Sequence, residues 1–522
     1  MIRHGGSEKY DAIVIGGDIG GLIAAAYLAR AKARVVLFEA REDFGADARN
    51  LEFAPGFRGP IASQTAFALD GRAIRELRLA AFGLEFAQDN MKLVALGPAG
   101  KHVVLPGESF RGRAALAADA GPEGFAYAAF HEEAMRLARL MRPLWEGTLA
   151  DAAAPSAADM LTLALRRLNL EDRDAERIIE LSRLSATAFL DHWFDSGPLK
   201  AALAFEVFPS GLSPQEPGSA LVLIWRYAQE SAGPAAAVSQ IRGGPAALTS
   251  ALTAAAREAG AELRSTKRVG SIVVEKGRAT GVTLADGEMV ASETVLSSLD
   301  ARETLLGLVP AGSGGLGMRT QVAEPRRIGC AQILLALSAP PPFVGIDPHD
   351  LAARFAVMQR GEVPDEAKGA ALNGSLPREV AMEATVPTIA DGTLAQGGSH
   401  VLSALVPYVP ASPDGGWLGG HELLRRRALG TLESFAPGLR DRVVAFRVLT
   451  PGHEGGGPKS CVSLFASPAA RLVASYEARI RTPIAGLYLC GRAAEPMDVL
   501  SGRAGRIAAG FVFMGLRQGV ST

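Results

Sequence analysis

Residues 11–15 (DAIVI) are a short, nearly unbroken apolar run, the pattern of a parallel strand buried on both faces. An alanine- and leucine-rich stretch over 20–31 predicts a helix with small residues facing back. Residues 34–39 (RVVLFE) predict a second β-branched strand that ends in an acid. Together they make one βαβ unit of about 30 residues. Farther along, apolar residues recur at intervals of three and four, which predicts helices within 121–145 and 156–190. The clearest are AAFHEEAMRLARLMRPLW, SAADMLTLALRRLNL and DAERIIELSRLSATAFL. This helical block separates the βαβ unit from later β-rich sequence and reads as an insertion.

Residues 241–300 predict a helix over 246–259 and strands over 262–265, 269–275, 279–284 and 293–298. Turns at Lys276-Gly277 and Asp286-Gly287 separate the middle strands. The Pro/Gly-rich stretches 309–317 and 406–420 read as connections or surface loops. Near the end, GLYLCG (486–491) predicts an apolar strand running into a glycine, and SGRAGRIAAGFVFMGL predicts a helix. No internal repeat of fixed period occurs.

Length, charge and cysteine usage narrow the class. At 522 residues the chain exceeds one hydrophobic core, so two or three domains are expected. A net charge of −1 leaves no electrostatic footprint for nucleic acid. Cys330, Cys461 and Cys490 lie far apart, which excludes a disulfide framework, a Cys-x-x-Cys centre and a cysteine-built zinc site. The eight histidines lack paired ligand spacing, so no metal site is expected. The N-terminus has no apolar signal region and no stretch is long enough to span a bilayer. The expectation is a cytoplasmic protein without a transmembrane helix, with peripheral membrane contact left open.

The chemistry sits in IVIGGDIGGL, residues 13–22. A strand turning sharply into a helix presents backbone N–H groups and the positive helix end to a nucleotide pyrophosphate. The motif for this is G-x-G-x-x-G. Gly16 supplies the tight turn, Gly21 the close helix–strand packing, and Gly17 and Gly20 add slack. The middle position, however, is Asp18. Glu39 ends the second strand, placed to accept from a ribose hydroxyl and to disfavour a 2′-phosphate.

The stretch YDAIVIGGDIGGLIAAAYLARAKARVVLFEAREDFG resembles the opening of the phytoene-desaturase-like FAD oxidoreductases, in the branch of pyridine nucleotide-disulfide oxidoreductase domain-containing protein 2. Three further stretches resemble the branch in order: HWFDSGPLKAALAF, IRGGPAALTSALTAAAREAGAELRSTKRVGSIVVEKGRATGVTLADGE, and FAPGLRDRVVAFRVLTP with YEARIRTPIAGLYLCG. The resemblance covers nearly the whole chain. It implies an α/β fold: a glutathione-reductase-like Rossmann FAD domain, βαβ with a central parallel sheet and a β-meander, plus a mixed α+β substrate domain with inserted helices. The FAD domain would take segments 1–110, 236–310 and 476–522, and the substrate domain 111–235 and 311–475. The cofactor implied is FAD, accepting a hydride equivalent at N5 from an apolar or amphipathic small molecule. An oligomer or a paralogous partner stays open.

By the same resemblance, Gly16 and Gly21 match the phosphate turn, Glu39 the ribose acid, and Arg41, after Ala40, the basic residue beyond it. Val269 matches the residue whose backbone meets the adenine, and Gly491 and Gly502 match glycines beside the flavin. The chain departs from the family pattern at three places. Asp18 replaces the third glycine of the turn, Gly45-Ala46 stands for a Gly-Gly pair, and Met497, Asp498 and Val499 replace three glycines in EPMDVLSG. The stretch 453–472 is also shortened against the family. A carboxylate at position 18 close to a pyrophosphate costs on the order of one to a few kcal/mol. It either points away or caps the following helix, and capping takes donors that the phosphates use. Two altered ends of one cofactor site leave a second reading open, a non-catalytic relative with weakened or lost FAD binding, acting as a binding or regulatory subunit. Cys490 reads as a buried small hydrophobe, His192, His421 and His453 as structural or surface residues, and 423–432 as a solvated helix face. No catalytic side chain is named, because hydride transfer to flavin requires none that a sequence reveals.

Overall fold

The computed structural model describes residues 9–45, 48–61, 65–105, 122–146, 161, 165–166, 168–195, 197–208, 212–230, 238–313, 327–359, 365–451, 472–497 and 501–518. One half is built on a five-stranded parallel sheet. The strands are β1 (Ala12–Ile15), β2 (Val35–Phe38), β3 (Glu262–Arg264), β4 (Val295–Ser297) and β5 (Leu487–Leu489), in the spatial order β5-β4-β1-β2-β3. Every neighbouring pair is parallel. Chain segments hundreds of residues apart therefore share one sheet, with β1 at its centre. All four residues of β1 and of β2 are buried, as continuous apolar runs require.

Helix α1 (Ile19–Arg30) joins β1 to β2, and its alanines and leucines are buried. It packs against α2 (Pro245–Ala259) and α3 (Arg503–Gln518). Small residues permit the approach: a Cβ on Gly505 of α3 would come 2.1 Å from the Gly20 carbonyl oxygen. Beside the sheet, Val269–Glu275, Arg278–Leu284 and Met289–Ala291 form the expected antiparallel meander.

A seven-stranded mixed sheet builds the other half, in the order Val443–Leu449, Ile328–Leu337, His400–Pro410, Met382–Thr385, Arg354–Val357, Leu93–Ala95, Val103–Leu105. One face carries Ile333, Phe355, Met382 and Leu402 into an apolar core with Leu424, Ala428 and Leu432 of the helix Trp417–Phe435. The inserted helices Pro122–Glu146, Asp172–Leu181, Ala186–Leu190, Pro198–Phe205 and Ser219–Glu230 form a separate core around Phe130, Trp145, Phe189 and Ile224. Between them lies a buried ion cluster. Arg354 donates to Glu206 at 2.9 Å and Glu383 at 2.7 Å, and Arg226 pairs with Glu206. The two glutamates hold the Arg354 guanidinium well above its usual range against the effect of burial.

Two sequence expectations change. The 172–190 stretch is two helices, because Ser185 starts the second by capping Ala188 at 3.0 Å, and most of the 156–170 helix lies outside the described residues. The 406–420 stretch is mostly regular: it holds the end of the strand His400–Pro410 and the start of the helix Trp417–Phe435. Its prolines suggested a loop, but Pro407 and Tyr408 form a bulge opposite Cys330, where a missing N–H is tolerated. Tyr408 there has φ of 55°. Of the 309–317 loop, residues 314–317 lie outside the described part.

Candidate nucleotide-binding site

The site lies at the carboxyl ends of β1 and β2, where open α/β sheets bind ligands. β1 ends at Ile15, and Gly16, with φ of 91°, reverses the chain toward α1. Its N–H donates to the Phe38 carbonyl at 2.8 Å, which fastens the turn to β2. A Cβ on Gly21 would come 2.2 Å from the Gly16 carbonyl oxygen, so the first turn of α1 lies directly on the loop.

Glu39 is buried at the end of β2 and uses both carboxylate oxygens. Oε2 accepts from the Gly17 N–H at 2.8 Å and Oε1 from the Arg41 N–H at 2.9 Å. Each oxygen keeps lone-pair capacity for a ribose hydroxyl. The Lys267 N–H donates to the Glu39 carbonyl at 2.9 Å, which carries the chain past this acid into the meander strand that Val269 begins. Ala40 is exposed at the mouth. Gly45, with φ of 108°, donates its N–H to the Gly17 carbonyl at 2.7 Å, so the loop after β2 closes over the glycine turn. Ala46 lies outside the described residues.

Asp18 realises the capping alternative. Its Oδ1 accepts from the Gly21 N–H at 2.8 Å, as a helix N-cap does. The side chain keeps some contact with solvent, yet desolvation by the surrounding protein pushes its carboxyl up to about 7. The Gly21 N–H, the Ser298 hydroxyl and Arg492 pull it down, and Glu39 pushes it up. One phosphate donor is thereby diverted. Among the described residues the N–H groups of Ile19 and Gly20, also in the first turn, have no protein acceptor, so the turn still fits a pyrophosphate.

The C-terminal segment joins the same layer. A Cβ on Gly20 would come 2.2 Å from the Cys490 carbonyl oxygen and 2.9 Å from Gly491 Cα, so α1 rests on the chain leaving β5. Gly502, with φ of 73°, packs against Ile19 and Ile23. Met497 is buried in the core of the helical block, while Asp498 and Val499 lie outside the described residues. At the start of α3, the buried Glu495 accepts from the Ala504 N–H at 2.7 Å and from the Tyr476 hydroxyl at 2.8 Å. Burial, with the Glu495 charge beside it, pushes the Tyr476 phenol well above its usual range. Cys490 is buried and unpaired, and burial pushes its thiol up, which suits a small hydrophobe.

Sequence reasoning missed Ser298 and Arg492. The Ser298 hydroxyl lies 3.0 Å from the Gly16 carbonyl oxygen and within reach of Asp18. The small polar pair Ser297-Ser298, at the carboxyl end of a buried strand, was the available signal. Arg492 had none, since its position depends on β5 entering the sheet. Among the described residues no cluster of His, Cys, Asp or Glu is placed to hold a metal, and no helix is long and apolar enough to cross a membrane.

Comparison with known proteins agrees with this geometry. The NAD(P)-binding Rossmann-like domain family matches residues 14–77, the unit just described. Pyridine nucleotide-disulfide oxidoreductase domain-containing protein 2 of Mus musculus is 30% identical, covering 98% of this chain and 94% of that protein. The chain belongs to this family. Hydroxyneurosporene desaturase of Cereibacter sphaeroides is 27% identical over 94% of this chain and 95% of its own. Among solved structures, putrescine oxidase bound to putrescine superposes with a TM-score of 0.63 at 14% identity, covering 97% of this chain and 99% of that one. Cyclohexylamine oxidase from Brevibacterium oxydans gives 0.58 at 16% identity, with 98% and 100% covered. These likenesses are of fold. Family membership makes the chain an oxidoreductase with a flavin or nucleotide cofactor.

Proposed function

We propose that the protein is an FAD-dependent oxidoreductase, desaturase- or dehydrogenase-like, acting on an apolar or amphipathic small molecule. The observation that carries this reading is Glu39, an acid at the end of β2 whose carboxylate also holds the glycine turn through the Gly17 N–H. FAD, when bound, supplies the acceptor for a hydride equivalent taken from substrate carbon. The chain's own residues have the tasks of holding and orienting. Ile19 and Gly20 would give their N–H groups to the pyrophosphate, Glu39 would accept from the ribose, and the chain at Val269 would border the adenine. Gly491 and Gly502 would let backbone approach the flavin end. The desaturase named among the relatives favours an apolar substrate.

The test is the visible spectrum of the purified protein, followed by reconstitution with FAD. Flavin bands near one per chain support the proposal. A colourless protein that takes up no added FAD sinks it, and would favour a family member that keeps the fold as a binding subunit. The Asp18 cap and the Glu495 carboxylate at the start of α3 are the two features favouring that second reading.

A further inference from the structure

The glycine turn carries a carboxyl where a dinucleotide-binding turn ordinarily has none, and that carboxyl is anchored. Asp18 stands at the N-cap of α1 with Oδ1 on the Gly21 N–H at 2.8 Å, so its headgroup lies within the first turn that faces the phosphates. The groups around it come from every neighbouring element. Glu39 faces it from the end of β2, the Ser298 hydroxyl from the end of β4, and Arg492 from the turn beyond β5. The Cys490 thiol at the end of β5 is buried, and Asp18 helps to keep it neutral. The loop after β2 and helix α3 approach through glycines, Gly45 on Gly17 and Gly505 on Gly20.

Counted as ions, this set holds two carboxylates and one guanidinium before any phosphate arrives. A pyrophosphate would add two more negative charges beside α1. Glu39 is already engaged by two backbone N–H groups. Asp18 accepts a single backbone N–H, with the Ser298 hydroxyl beside it. Desolvation already places its titration near neutrality, at about 7.

We propose that Asp18 makes nucleotide binding proton-linked: the pyrophosphate is held when the Asp18 carboxyl is protonated and is expelled when it ionises. This rests on the flavin-nucleotide reading of the turn and adds a control to it. One proton is taken from solvent as the nucleotide enters, and the same proton returns when it leaves. The protonated group keeps Oδ1 on the Gly21 N–H, loses its charge, and turns its O–H toward a phosphate oxygen. A helix cap thus becomes a phosphate donor without any change of backbone.

The experiment is isothermal titration of the full-length apoprotein with ADP and, separately, with FAD. It is run from about pH 6 to about pH 9 in buffers of different ionisation enthalpy, on wild type, Asp18→Asn and Asp18→Gly. Asparagine caps a helix as well as aspartate does, so the first variant keeps the local fold. Wild type is expected to take up close to one proton per nucleotide at about pH 8, with affinity falling about tenfold per pH unit above neutrality. Both variants are expected to take up none and to bind with a flat profile. A flat wild-type profile, an unchanged slope in Asp18→Asn, or no binding of either ligand at about pH 6 overturns the inference. ADP binding with proton uptake but no FAD binding keeps it and removes the flavin reading. FAD binding without proton uptake does the reverse.

Discussion

The Gly17 N–H donates to Glu39 Oε2 at 2.8 Å, so the acid ending β2 fastens the turn ending β1. The other oxygen takes the Arg41 N–H at 2.9 Å. Replacing Glu39 with alanine leaves two backbone donors without their acceptor, at a cost of about 2–4 kcal/mol. Nucleotide affinity should fall at least about tenfold, since the turn loses its tether and the ribose its acceptor. Thermal melting and ADP titration of Glu39→Ala check this, and unchanged values in both would contradict it.

Gly505 and Gly510 share α3 but meet different surroundings. A Cβ at 505 would sit 2.1 Å from the Gly20 carbonyl oxygen, whereas one at 510 meets nothing within 4 Å. Gly505→Ala should destabilise by about 3 kcal/mol, because it wedges two backbones apart. Gly510→Ala should stabilise by up to about 1 kcal/mol through helix propensity. Paired urea melts of the two variants measure the contrast, and similar midpoints would rule out the close helix crossing.

Arg354 is shared between Glu206 and Glu383 inside the protein. Arg354→Met keeps volume but strips both carboxylates of their common cation, which should cost about 3–5 kcal/mol. Adding Glu383→Gln should recover part of that loss. A double-mutant cycle measures the coupling, and simple additivity would show that the two residues do not interact.

Asp18 also sets a pH dependence of stability in the nucleotide-free protein. Its carboxyl rises from 3.8 to about 7 on folding, so between these values the folded state holds a proton that the unfolded chain has released. Stability therefore declines as pH rises from about 4 to about 7 and is level above that. Asp18→Asn lacks this decline. Its advantage over wild type should be absent below about pH 4 and reach about 1–2 kcal/mol by pH 8, allowing for the solvent contact of the side chain. Melting temperatures of the two proteins across that range decide it, and a constant difference would refute the shift.

The sheet strands were legible because a parallel strand buried on both faces must be an apolar run, as VVLF and AIVI are. The meander was legible through the Lys276-Gly277 turn. Proline misled at 406–420, because a bulge exempts Pro407 from the ladder, and no local pattern announces a bulge. At the turn, the sequence allowed Asp18 either to cap α1 or to point away, and only the geometry chooses. Ser298 and Gly16 are 282 residues apart, so their contact follows from strand order and not from spacing. The Glu495 contact at Ala504 was hidden for another reason: a local pair nine residues apart forms no periodic pattern.

β5, residues 487–489, fills the edge position next to β4. A ribosome must therefore extrude every residue between β1 and β5 before that sheet is finished. Until then β4 offers a bare row of amides to solvent, and Gly20 has no floor beneath it. The unpaired edge stays exposed to wrong pairing until β5 emerges. The glycine turn directly follows β1 in the chain, yet it reaches its final shape only after β5 has been made.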